Sequence, residues 1–125
     1  MTEIMITAVD KHKVEFTSAL GCGAATWVGM PPRQGNTYYV EIDIDEVLKF
    51  GENLIPSDKN ISSVNVIDGK AVFVAEVISY EDDGILTISL GGNVVFLEIK
   101  LPAVITGFIK LFISPDKVFL YPVEL

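Results

Sequence analysis

The stretch VNVIDGKAVFVAEVISYEDDGILTISLGGNVVFLEIKL, residues 64–101, decides the fold class. It holds three glycine turns at roughly ten-residue spacing. Asp68-Gly69 separates Val64–Ile67 from Lys70–Ser79, and Asp-Gly is the preferred dipeptide of a two-residue type I′ hairpin, whose central residues both need positive φ. Asp82-Asp83-Gly84 then leads into Ile85–Leu90, and Gly91-Gly92-Asn93 leads into Val94–Leu101. Short β-branched runs joined by regular turns predict an antiparallel meander, the signature of a barrel or sandwich.

Working outward, the apolar period stays at two. Met1–Val9 and Lys13–Ala19 read as strands around Asp10-Lys11-His12. In Thr37–Ile44 the residues Tyr38, Val40, Ile42 and Ile44 share one face, and Tyr39, Glu41 and Asp43 share the other. Gly107–Ile113 and Val118–Glu124 extend the meander through the Ser114-Pro115-Asp116 turn. Val104–Phe112 also fits a helical face, but its β-branched content and short length favour a strand. Asp45–Leu54 has room for at most one short helix, stopped by Gly51. Leu20–Asn36 differs in composition. Its four glycines, with Pro31 and Pro32, predict a long loop with at most a short strand through Trp27. Long loops in compact domains tend to be functional. The expectation is one all-β domain over residues 1–125, with about seven or eight strands in a small barrel or sandwich that ends in an antiparallel meander.

Half of the 125 residues are hydrophobic, which excludes a disordered chain. The longest nearly apolar stretch, Leu101–Ile113, is interrupted by Pro102, Gly107 and Lys110 and falls short of the ~18 residues of a membrane span. No basic n-region precedes the first apolar residues, and the single cysteine rules out an internal disulfide. These features point to the cytoplasm and to no membrane partner. Ala71–Val77 and Val94–Ile99 are apolar on both faces, so a second layer, a loop or another copy of the chain is expected to cover them.

The net charge of −8 is concentrated. Glu41–Asp83 holds eleven acidic residues against Lys49, Lys59 and Lys70, while six acidic and six basic residues balance elsewhere. Glu41, Asp43 and Asp45 stand at i, i+2 and i+4, so on a strand they share a face at steps of about 7 Å. Such a row reads either as a solvated face that discourages edge pairing or as a docking surface for lysines and arginines. Glu81-Asp82-Asp83 adds charge at a turn, where Asp83 before Gly84 is ordinary turn chemistry. Nucleic acid is disfavoured as a partner, because phosphate binding needs a basic stripe and the basic residues here are scattered.

No motif of catalysis stands out. Cys22, bracketed by Gly21 and Gly23, and the sole histidine, His12, would form a nucleophilic pair only within hydrogen-bond reach of each other. The glycines of Gly21–Gly23 lack the following helix that a dinucleotide loop needs. Asp43-Ile44-Asp45-Glu46 lacks the spacing of a calcium loop. The expectation is a chain without cofactor, metal or catalytic residues. It is read as a non-catalytic acidic protein-binding domain, most concretely a cytosolic inhibitor of the immunity type that masks a basic partner such as a nuclease toxin. Tyr39, Glu41, Asp43, Asp45, Glu46, Glu81 and Asp82 would meet that partner. One alternative is a small-ligand-binding barrel or enzyme subunit with Cys22, Trp27 and Arg33 under the Gly21–Asn36 loop. The other is a structural subunit of a homo-oligomer joined through the doubly apolar strands.

Overall fold

The structure, a computed structural model, describes residues 1–124; Leu125, the last residue of the expected 1–125 domain, lies outside the described residues. Five strands close on themselves. β1 (Thr2–Asp10) pairs with β2 (Lys13–Ser18), β2 with β3 (Gly21–Trp27), and β1 with β4 (Thr37–Ile44), all antiparallel. The last strand, β11 (Val118–Pro122), lies antiparallel to β4 and parallel to β3, and so seals the barrel. Closure removes the unpaired edges that an open sheet would carry.

The remaining strands are inserted between the barrel's fourth and fifth strands. They are β5 (Leu54–Pro56), β6 (Ser63–Ile67), β7 (Lys70–Tyr80), β8 (Ile85–Leu90), β9 (Asn93–Glu98) and β10 (Phe108–Ile113). The order β3-β6-β7-β10-β5 joins this sheet to the barrel through a single parallel pair, Gly21 with Val64. β7 is long enough to serve two neighbours on one edge, β6 through residues 70–74 and β8 through residues 76–80, with a bulge between Val77 and Ser79. β9 hangs from β8 and pairs with no other strand among the described residues. One buried cluster runs through barrel and insert alike, from Ile4 and Phe16 to Phe73, Leu97 and Leu111.

The all-β class, the barrel and the hairpin turns agree with the sequence reading. Asp68 and Gly69 both take positive φ, as a type I′ turn requires. Three expectations are corrected and one is narrowed. First, the described residues form eleven strands rather than seven or eight; short β5 and glycine-rich β3, which carry little β signal, account for two of the difference.

Second, residues 21–27 of the expected Gly21–Asn36 loop form β3. The glycines there serve packing: a Cβ on Gly23 would strike the Phe16 ring, and one on Gly21 would strike the Val64 carbonyl where β3 meets β6. Third, the allowance of at most one short helix at 45–54 narrows to none; a hydrogen-bonded turn and β5 occupy the segment, with Leu48 and Leu54 buried. The only helical turn among the described residues is the 3₁₀ segment Pro115–Lys117. Fourth, β7 is buried on both faces from Ala71 to Ala75, but β9 is not. Val95 and Leu97 face the core, while Val94 and Phe96 are 50% and 65% exposed, because none of the described residues forms a layer over the outer strand of this hairpin.

Candidate functional site

The site begins where β1 runs out. β1 covers β4 only as far as the pair Thr2 with Val40. One step further, at Ile42, the tip of the β8–β9 hairpin takes over. The Asn93 side chain accepts from the Ile42 N–H through Oδ1 and donates to the Ile42 carbonyl through Nδ2, both at 3.4 Å. Asn93 is the only fully buried polar side chain among the described residues. Its carboxamide imitates a backbone peptide and continues the ladder for one rung. Beyond that rung, β4 and β9 diverge.

The divergence makes an open groove of about 1240 Å³. Residues 44–48 form one wall and residues 96–101 the other, with Tyr80 and the Asp82–Gly84 turn at one end and Lys117 beside the first wall. Buried Leu48, Leu97 and Ile99 supply an apolar floor. Tyr80 fixes the end wall, since its hydroxyl donates to the Ile99 carbonyl at 2.9 Å and accepts from the Leu101 N–H at 3.1 Å. Asp45, Glu46, Asp82, Asp83 and Glu98 line the groove against two lysines, Lys100 and Lys117. Glu46 is anchored by the Ser114 N–H at 3.3 Å, and Asp83 caps its own turn by accepting from the Ile85 N–H at 3.0 Å. The one ion pair among the described residues joins the Met1 amino group to Glu41 at 3.6 Å, so the groove's lysines leave its carboxylates unpaired. The result is a negative cleft walled partly by low-dielectric apolar surface, which focuses the field on an incoming cation.

The partner-binding residues expected from sequence divide into three places. Asp45, Glu46 and Asp82 come together in the groove. Tyr39, Glu41 and Asp43 lie on the exposed face of β4 beside it. There Glu3 of β1 stands opposite Tyr39, and Tyr121 of β11 stands opposite Glu41. The Tyr39 phenol is held above its ordinary pKa, first by its hydrogen bond to Glu3 and then by that carboxylate's charge. Glu81 is exposed at the hairpin tip, outside the groove.

The ligand-site residues do not converge. Cys22 is exposed on the outer face of β3, and Trp27 points inward, 2% exposed. The Trp27 indole donates to the Met30 carbonyl at 2.8 Å and packs edge-on against Tyr38 at 5.0 Å, so its ring belongs to the barrel core. Arg33 is exposed, with its backbone N–H donating to the Tyr38 hydroxyl at 2.9 Å. A second cavity of about 520 Å³ lies against β2 and β3 and is lined by none of the three. Cys22 lies four ladder positions, about 13 Å, from the end of β2 that His12 adjoins, beyond the reach of a nucleophile–base pair. Among the described residues no three His, Cys, Asp or Glu side chains gather to hold a metal ion, and no helix is long and apolar enough to cross a membrane.

Sequence reasoning missed Asn93, Glu98, Lys100 and Lys117. Asn93 read only as turn chemistry after two glycines, and Glu98 as the lone charge in an apolar run. A charge that interrupts such a run is a signal that one edge or face of the strand stays wet. Comparison with protein-family models, curated proteins and solved structures finds no match.

Proposed function

We propose that this chain is a non-catalytic protein-binding module that takes a basic protein into the acidic groove. Its concrete form is a cytosolic inhibitor of the immunity type. The observation that carries the reading is that Asp45 and Glu46, from the end of β4, line one cleft with Asp82 and Asp83, from the β7–β8 turn, and with Glu98 of β9. Enzymes that act on nucleic acid need basic surfaces to hold phosphates, and an acidic inhibitor is steered to such a surface by charge. The same field repels nucleic acid itself. Tyr39 and Tyr121, 39% and 43% exposed on the adjoining barrel face, supply aromatic area of the kind that concentrates binding energy.

The test is to immobilise the wild-type chain beside an Asp45→Lys, Asp82→Lys, Asp83→Lys variant and load lysate from the source cell. A basic protein held stoichiometrically by the wild type, released by salt and ignored by the variant supports the reading. Equal retention on both discards the groove. A second reading, self-association through β9, draws on the exposure of Val94 and Phe96. A monomer by light scattering at high concentration removes it.

A further inference from the structure

The groove is lined by residues from two strand edges, the end of β4 and β9, that each carry free backbone groups. In a hairpin with a two-residue turn, the residues flanking the turn form a hydrogen-bonded pair, and such pairs alternate with non-bonded ones. Leu90 and Asn93 flank Gly91-Gly92, so Asn93, Val95 and Leu97 direct their N–H and C=O groups to β8. The Ile99 N–H donating to the Gly84 carbonyl at 3.0 Å continues the series. Val94, Phe96 and Glu98 therefore turn theirs away from β8, along the side of β9 that pairs with no strand among the described residues.

The same argument applies to β4. Asp45 N–H donates to Lys117 and Val123 N–H to Tyr39, so the odd residues of β4 face β11. The even residues face the other way, where Ile42 is taken by Asn93. Ile44 is the next even residue, and it lines the groove. At the rung before the groove opens, the Asn93 side chain alone ties β9 to Ile42 of β4.

We propose that the partner enters as an extended basic segment, added as a strand between β9 and the end of β4. Its main chain bonds to Phe96 and Glu98 on one side and to Ile44 on the other. This rests on the basic-partner reading above and specifies how the partner is held. Main-chain bonds give such strand addition its affinity, and alternating side chains give it specificity. The walls, residues 44–48 and 96–101, match a segment of five or six residues. One face of that segment lies over Leu48 and Ile99, and the other runs between Asp45 and Glu98. The recognised pattern is thus apolar residues alternating with lysine or arginine. Charge decides the occupant, since a second copy would bring its own five groove carboxylates to the same place.

The probe is a fluorescein-labelled heptapeptide, Lys-Val-Arg-Val-Lys-Val-Arg, titrated by anisotropy against the full chain. Two further versions are N-methylated at alternate residues, one in each parity. The parent peptide should bind and weaken with salt, and methylation in either parity should weaken it about tenfold or more, because it removes the peptide N–H groups that donate to the carbonyls of one edge of the slot. Phe96→Pro should weaken binding about five- to tenfold beyond Phe96→Ala, since it removes an outward N–H and leaves the β8 ladder intact.

Methylated peptides that bind like the parent, or loss in one parity alone, would overturn the two-edged slot. If the peptide fails to bind while a basic protein is still retained in a groove-dependent way, strand addition falls and the basic-partner reading stands. If neither is retained, both fall. A dimer that Phe96→Pro dissolves would assign the edge to a second copy and overturn the proposal.

Discussion

Replacing Asn93 tests how the insert is fixed to the barrel. Asn93→Ala removes two hydrogen bonds to Ile42, both at 3.4 Å, from a side chain with no solvent exposure. These bonds are long, so each is assigned the low end, about 0.5 kcal/mol. The orphaned Ile42 N–H and C=O add a desolvation loss that water entering from the adjacent groove partly relieves. The expected total is about 2–3 kcal/mol, a large share of the ~5–15 kcal/mol that holds a domain of this size together.

Asn93→Asp separates hydrogen bonding from packing. Its carboxylate keeps an acceptor for the Ile42 N–H, loses the donor to the Ile42 carbonyl, and buries a charge. Burial raises the folded-state pKa of that carboxyl above its unfolded value. Stability relative to wild type is therefore best below the unfolded pKa of about 3.9, where the protonated group can donate again, and it falls as pH rises through the folded value. Urea unfolding, followed by Trp27 fluorescence and far-ultraviolet circular dichroism, reads both variants. A loss below about 0.5 kcal/mol for Asn93→Ala, with unchanged denaturant slope, refutes the reasoning.

Two further predictions concern the barrel. Gly23→Ala should destabilise by about 1–2 kcal/mol, because overpacking against buried Phe16 costs more than the lost glycine entropy returns. Adding Phe16→Leu should recover part of it, and strictly additive losses in urea unfolding would contradict the contact. The raised pKa of Tyr39 implies stability that is present below about pH 10 and lost as pH climbs through the folded value. Glu3→Gln should return Tyr39 toward its ordinary titration, read by nuclear magnetic resonance of labelled tyrosines; an unmoved midpoint removes the Glu3 interaction.

Local signals carried the reading as far as local chemistry reaches. Thr37–Ile44 was legible to the residue because alternation and burial coincide there, and Asp68-Gly69 because only one hairpin geometry suits it. β3 was illegible because its glycines are demanded by partners its own composition does not reveal: the Phe16 ring, across the ladder from Gly23, and the Val64 carbonyl of β6, opposite Gly21. The groove was half legible. Its carboxylates stand out as charge, but their convergence depends on the closure between Ile42 of β4 and Asn93 of β9, 51 residues apart, which alternation cannot reveal. The free edges of β9 and Ile44 are a property of register, set by where β1 stops and where the hairpin turns.

The most direct test of the account is an amide nitrogen–proton spectrum of the ¹⁵N-labelled chain titrated with the Lys-Val-Arg-Val-Lys-Val-Arg peptide. The account predicts that the Ile44, Phe96 and Glu98 amides shift and become protected from exchange, while the Leu97 amide, already directed to β8, gains little protection. Shifts confined to Glu3, Tyr39 and Tyr121 on the outer barrel face, or none at all, would contradict it.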